Sequence, residues 1–215
     1  EKITQIIPIK KNEEREFMTF VTKNGIIKKT ELAQYENIRQ SGLIAINLDE
    51  DDDLISVYLT NEEDEFISTT KNGKAIRING KDVRPTGRST RGVKLITLED
   101  GDNVVSSQVV GKGAKLLTIT EKGYGKMTSE EEYTVQSRGG KGILTHRINE
   151  KTGALVTALV VYDEKDLLLI SSSGIIIRIS AKEIAKSSRA TIGVKLMDIG
   201  EEKIVSAIQT DETEE

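Results

Sequence analysis

Phe66-Ile67-Ser68-Thr69-Thr70-Lys71-Asn72-Gly73-Lys74-Ala75-Ile76-Arg77 sets an apolar, threonine-rich run, an Asn-Gly dipeptide and a second run in direct succession. β-Branched and aromatic side chains suit a pleated backbone. Asn-Gly between two such runs predicts a tight hairpin of type I′, with positive φ at both central residues. The first run shows no polar–apolar alternation, which predicts a strand covered on both faces. The same design recurs. Phe17-Met18-Thr19-Phe20-Val21-Thr22 leads to Gly25-Ile26-Ile27-Lys28-Lys29, Leu116-Leu117-Thr118-Ile119-Thr120 to Gly123-Tyr124-Gly125-Lys126, and Leu167-Leu168-Leu169-Ile170 to Gly174-Ile175-Ile176-Ile177-Arg178.

Two further landmarks keep step with the hairpins. An apolar strand is expected at Ile3-Thr4-Gln5-Ile6-Ile7 and again from Leu54, Val104, Leu155 and Ile204, with starts 51, 50, 51 and 49 residues apart. A basic, glycine-containing loop leads into another apolar strand at Arg39-Gln40-Ser41-Gly42, Arg88-Ser89-Thr90-Arg91-Gly92, Arg138-Gly139-Gly140-Lys141-Gly142 and Arg189-Ala190-Thr191-Ile192-Gly193. A period near fifty residues selects propellers and related arrays, in which short sheets pack side by side. The expected fold is an all-β, propeller-like array of four-stranded blades in a single domain. Its repeat units are approximately 3–53, 54–103, 104–154 and 155–210, followed by an acidic tail at 211–215. Between hairpin and loop, Ser129 with Glu132 and Ser180 with Glu183 have capping-box spacing, which predicts connectors of one or two helical turns.

A net charge of −4 argues at first against a polyanionic partner. The distribution reverses that inference. The blocks 22–42, 71–94, 122–147 and 174–195 hold 22 of the 31 Lys and Arg but only 7 of the 35 Asp and Glu. Equivalent positions in a ring fall at equivalent places on its rim. A basic stripe on a curved body, with the acidic loops set off it, is what a long polyanion requires.

Catalytic chemistry has little to stand on, and no catalytic residue is expected in this chain. His146 is the only histidine and has no Ser or Asp pattern near it, so it reads as a surface or phosphate-facing imidazole. The acidic run 49–53 lacks the glycine and closing Glu of a Ca²⁺ loop, and no metal site is expected. Tyr35 and Tyr133, at matching repeat positions, read as packing residues. There is no cysteine, in keeping with a cytoplasmic location, and no apolar run suited to a membrane partner.

With these residues in place, the chain resembles the C-terminal domain of the DNA gyrase A protein over essentially its whole length. Gln136-Ser137-Arg138-Gly139-Gly140-Lys141-Gly142 is similar to the gyrase-A box, and 120–126, Glu132-Tyr133, Arg91-Gly92-Val93 and 189–194 extend the likeness. The resemblance implies a β-pinwheel whose blades exchange strands and wrap double-stranded DNA around a basic outer edge. It implies that ATP and Mg²⁺ are bound elsewhere in the parent enzyme and that no cofactor binds here. It also implies that the remainder of the gyrase A protein, together with the gyrase B protein, are partners in a nucleoid-associated complex. Ser137 departs from the expected basic residue, and the box-like loop falls in the third of four units. The chain therefore resembles the last four of about six units, with the true box upstream. A protein-binding propeller and the C-terminal domain of the topoisomerase IV A protein remain alternatives. The expected DNA contacts are Lys28, Lys29, Arg39, Lys74, Arg77, Arg88, Arg91, Lys94, Lys126, Arg138, Lys141, Arg147, Arg178, Arg189 and Lys195.

Overall fold

A computed structural model describes residues 3, 5–10, 13–37, 41–162 and 165–210. Arg39 and the tail 211–215 lie outside the described residues. The strands run β1 Phe17–Thr22, β2 Ile26–Glu31, β3 Leu54–Thr60, β4 Glu65–Thr70, β5 Lys74–Asn79, β6 Val93–Lys94, β7 Val104–Val110 and β8 Lys115–Thr120. They continue as β9 Tyr124–Ser129, β10 Ile143–Leu144, β11 Leu155–Val161, β12 Asp166–Ser171, β13 Ile176–Ser180, β14 Val194–Lys195 and β15 Ile204–Gln209. Among the described residues only single 3-10 turns interrupt them, so the architecture is all-β, as expected.

Every sheet is antiparallel, and the first three are each built from two consecutive units. The orders are β3-β1-β2-β6, β7-β4-β5-β10, β11-β8-β9-β14 and, with three strands, β15-β12-β13. Each of the first three hairpins thus receives its inner strand and its two-residue outer strand from the following unit. The inner strands β3, β7, β11 and β15 lie next to one another in chain order. Between successive sheets sit apolar layers such as Val21, Ile27, Phe66, Ile76, Ile78, Leu95 and Val104. Fully burying one such Phe or Ile contributes about 1.5–3 kcal/mol, so these layers hold neighbouring blades together.

The hairpin tips share one construction. The glycine N–H donates to the Thr or Ser carbonyl three residues back, as Gly25 to Thr22 (3.1 Å), Gly73 to Thr70 (2.9 Å), Gly123 to Thr120 (3.0 Å) and Gly174 to Ser171 (3.0 Å). The same Thr or Ser hydroxyl accepts the amide that follows the glycine. Among the described residues positive φ occurs only at glycine, so Asn24 and Asn72 are not left-handed. The tip is therefore a three-residue loop closed by a left-handed glycine, not the expected type I′ turn, because the hydroxyl supplies an acceptor that a two-residue loop would leave no room for. Asp52 and Asp102 accept the Asn24 and Asn72 amides, giving two residues of the acidic runs a structural task.

Two other expectations change. Ile3 and Ile6 are 81% and 83% exposed, and residues 5–7 form no strand. The inner strands β3, β7, β11 and β15 each pair with the first strand of an earlier hairpin. Here the Gln5 side-chain amide takes the ladder's place, donating to Val57 O (2.7 Å) and accepting from Val57 N–H (2.8 Å). The connectors are single 3-10 turns, at Glu130–Glu132 and Ala181–Glu183, in which Ser129 and Ser180 cap the second amide and not the third.

His146 is fully buried and faces no solvent. Its Nε2–H donates to Ile192 O (3.0 Å), which leaves Nδ1 to accept from Thr118 Oγ1 (2.9 Å). Burial first, and then the neighbouring Lys126 charge, lower its pKa to about 4. Its N–H and that of Thr145 both donate to Gly73 O, so the chain at 145–146 lies directly against the hairpin tip.

These contacts can be tested by substitution. A Cβ at Gly73 would lie 2.1 Å from His146 O, at φ +81°, whereas Gly101 has the same backbone sign and open space around it. Chemical denaturation should show Gly73→Ala losing about 3 kcal/mol or more and Gly101→Ala about 1 kcal/mol. Because folding depresses the His146 pKa, its contribution is present above its unfolded value and is lost as pH falls towards 4. Unfolding midpoints measured from pH 7 to 4 should fall less steeply for His146→Gln than for the natural chain, by up to about 2–3 kcal/mol over that window.

Candidate nucleic-acid interface

The outer strands and the loops that precede them form one edge of the array. Each loop is held by the unit before it: Asn47 N–H donates to Thr90 O (3.0 Å), Thr97 N–H to Gly140 O (2.8 Å) and Arg147 N–H to Thr191 O (3.1 Å). At the end of the box-like loop, Gly142 lies so close to β5 that a Cβ there would meet Ala75 O at 2.7 Å. Backbone contact of this kind sets the loops at fixed intervals along the edge. The chain at 85, 135 and 186 also bridges in parallel to Lys29, Arg77 and Met127.

On this edge Arg91, Lys94, Arg138, Lys141, Arg147 and Lys195 are exposed, and Lys74, Arg88 and Arg189 are half-buried; Arg178, also exposed, lies on β13 at the position of Lys29 and Arg77. Several are held by carboxylates: Lys74 by Glu99, Arg91 by Asp49, Arg178 by Asp166 (2.5 Å) and Lys195 by Asp198 (2.6 Å). Exposed pairs of this kind contribute little and can be exchanged for a phosphate at small cost. Arg138 Nε donates to Asp82 O (3.1 Å) and Arg189 to Leu144 O (3.0 Å), which orients both guanidinium groups along the edge. Within the box-like loop Ser137 is exposed beside Arg138, and Gln136 N–H donates to Arg77 O (2.7 Å).

Four expected contacts are corrected. Lys28, Lys29 and Lys126 have no exposed surface. Lys29 Nζ donates to Gly80 O (2.9 Å) and pairs with Glu62 (2.9 Å), over the Phe17 ring at 4.6 Å. Arg77, at the matching position, pairs with Glu65 (2.6 Å) and donates to Glu130 O (2.9 Å) and Tyr133 O (3.2 Å). Both therefore reach across to the next unit's 3-10 turn as staples. Lys28 donates to Ala45 O and Arg88 O, and Lys126 to Ser188 O, Arg189 O and Thr191 Oγ1. The middle positions of β2 and β9 are covered on both faces, so a Lys in either parity points inward. Tyr35 and Tyr133 are buried, as read from the sequence; Tyr133 Oη is bonded to Thr145 Oγ1 at 2.6 Å.

Sequence reading missed Arg84 and Lys186, both exposed on the same edge just after a 3-10 turn. Their signal was weak, since they precede the glycine loops and break the spacing of the other cations. No group of three or more His, Cys, Asp or Glu among the described residues could hold a metal ion. No helix among them is long and apolar enough to cross a membrane.

The DNA gyrase C-terminal domain, beta-propeller family model matches residues 16–61, 64–110, 114–161 and 165–211. The chain is 41% identical over 210 residues to the DNA gyrase A protein of Mycolicibacterium smegmatis, covering 97% of this chain and 25% of the relative. It is 46% identical over 218 residues to the DNA gyrase A protein of Clostridium acetobutylicum, covering 100% and 26%. The chain thus spans about a quarter of the length of these relatives. Among solved structures, the C-terminal domain of DNA topoisomerase IV superposes with a TM-score of 0.89 at 29% identity over 95% of this chain and 65% of that one. A DNA gyrase A C-terminal domain gives 0.83 at 26% identity over 92% and 66%. With its four matched segments and this strand-exchanged architecture, the chain belongs to the DNA gyrase C-terminal domain family.

Proposed function

We propose that this domain is a non-catalytic DNA-wrapping module of a type II topoisomerase, DNA gyrase, that binds duplex DNA along its basic edge and bends it. The observation that supports this reading most directly is the recurrence of cationic loops at one edge of successive blades, each fixed to the unit before it. The contacts on this reading are Lys74, Arg88, Arg91, Lys94, Arg138, Lys141, Arg147, Arg178, Arg189 and Lys195, with Arg84 and Lys186 added. Arg39 belongs to the same set by repeat position. Bending a site of 20–30 base pairs costs on the order of 1–6 kcal/mol, which several phosphate contacts together offset. No base-reading device is part of the proposal, so selectivity rests on DNA deformability. Wrapping with one handedness would present a DNA segment to a cleavage core in the remainder of the gyrase A protein, with the gyrase B protein supplying the ATP and Mg²⁺ site, in the bacterial cytoplasm at the nucleoid.

Binding to a long duplex should weaken by roughly three orders of magnitude between 50 and 200 mM salt if six or more phosphates are engaged. A flat salt response would end the proposal. Arg91→Ala should weaken binding of all sequences about equally and lower the salt slope by about one. Ligation of a nicked circle in the presence of the domain should shift the linking number, and an unchanged topoisomer distribution would rule out wrapping.

A further inference from the structure

Lys28 and Lys126 occupy the same position, three residues after the hairpin glycine, in the first and third units. Each is fully buried. Each ammonium donates to a peptide carbonyl of the next unit's basic loop. Lys28 Nζ donates to Arg88 O, and to Ala45 O at 2.5 Å; the Phe20 ring lies beneath it, 5.4 Å from its centroid. Lys126 Nζ donates to Ser188 O (2.6 Å), Arg189 O (2.5 Å) and Thr191 Oγ1 (3.1 Å). The unit between them has Ile76 at this position. Its loop, 136–142, keeps the bond common to all three loops (Thr97 N–H to Gly140 O, 2.8 Å) and in place of an ammonium has Gly139 N–H donating to Leu95 O (2.6 Å) and Thr97 Oγ1 to Gly139 O (2.7 Å). A tight glycine loop closes onto an isoleucine. The loops built on Ser, Thr and Ala are filled from below by an ammonium.

The arrangement does more than fill space. An aliphatic side chain would fill the same volume without the cost of burying a charge, and it would leave the loop carbonyls without their donor. Here the carbonyls of Arg88 and Arg189 are drawn inward, which fixes the backbone from which those two guanidinium groups project along the edge. The positive charge also lies just under the surface that would face phosphate.

We propose that Lys28 and Lys126 are positioning residues for DNA: their buried ammonium groups hold loops 88–92 and 188–193 in the conformation that presents Arg88, Arg91 and Arg189 to phosphates. The inference rests on the DNA-binding reading above. Burial and the facing guanidinium of Arg88 lower the Lys28 pKa to about 8. Burial acts likewise on Lys126, bringing it to about 8, with Glu132 opposing and Arg189 reinforcing the shift. The other titratable groups facing them are Tyr35, which shares Ala45 O with Lys28, and His146, which is neutral above about pH 4. As pH rises through 8 to 9 the two amines keep two N–H donors each but lose their charge, and Lys126 its third donor, which weakens the hold on the loops. Folding stability moves the opposite way, since a lowered lysine pKa penalises the folded state below 8 and the penalty fades between 8 and 10.5.

The test measures duplex affinity of the 215-residue chain against pH at constant salt, alongside denaturant stability, for the natural chain, Lys28→Met, Lys126→Met and the double variant. Natural-chain affinity should drop about tenfold from pH 7.5 to 9.5 while its stability relative to the double variant rises, and the double variant should start weaker and show no such step. The chain has no cysteine. Lys126→Cys can therefore be aminoethylated selectively in the unfolded state and refolded, rebuilding the ammonium at nearly the same length; this should restore affinity that Lys126→Met loses. Undiminished affinity in both Met variants, an affinity that does not fall between pH 7.5 and 9.5, or aminoethylation without rescue would each overturn the positioning role. If the natural chain fails to bind duplex DNA at pH 7.5, the DNA-binding reading itself is wrong.

Discussion

Each of the first three hairpin tips is gripped from two sides by chain that follows it in later repeats. On one side the carbonyls of Gly25, Gly73 and Gly123 accept from Leu95, Thr145 and Leu196; on the other the carbonyls of Lys23, Lys71 and Glu121 accept from Val104, Leu155 and Ile204. All six bonds lie between 2.7 and 2.9 Å. At Gly73 and Gly123 the approaching backbone comes closer to the glycine than a Cβ would permit. The apolar layers between sheets and the spacing of the outer loops both follow from that approach. A propeller is usually described by its blades, but here the joints are the more constrained feature.

The electrostatic pattern is subordinate to those joints. Long cationic side chains do two kinds of work in this chain, and strand position decides which. Lys29 and Arg77 reach sideways to carbonyls at the next unit's 3-10 turn, whereas Lys94, Arg147 and Lys195, on or just after two-residue outer strands, project outward. The exposed acids lie mostly in the loops between strands, at the ends of the blades. Segregation of charge is thus a by-product of where a four-stranded blade has an outer edge and where it has turns.

Much of this was readable from residues alone, for reasons that can be stated. The fifty-residue period, the glycine turns and the unalternating, threonine-rich first strands of the hairpins are local signals repeated four times, and repetition suppresses chance. The turn type was misread because Asn-Gly is informative about a two-residue loop, while the deciding atom was the hydroxyl of Thr22 or Thr70 four residues before the bonded amide. Lys28, Lys29 and Lys126 were placed on the rim because charge ordinarily reports exposure. Nothing in a single strand says that carbonyls from a chain sixty residues on will close over it. His146 was misplaced for the same reason, since its partners Thr118 and Ile192 come from different units. The strand expected at 3–7 does not form: residues 5–7 carry no strand and Ile3 and Ile6 are exposed, because an apolar run becomes a strand only where a partner's backbone meets it.

Strand exchange also has a meaning in time. The hairpin β1–β2 ends at Glu31, yet the strand that covers its outer edge is Val93–Lys94, 62 residues later in the chain. At translation rates of about 5–20 residues per second, that edge stands unpaired for roughly 3–12 s, and each later hairpin waits in its turn. A blade of this fold cannot be completed by the stretch of message that encodes its hairpin. Each newly made unit spends its first seconds as an open sheet, finished by its successor.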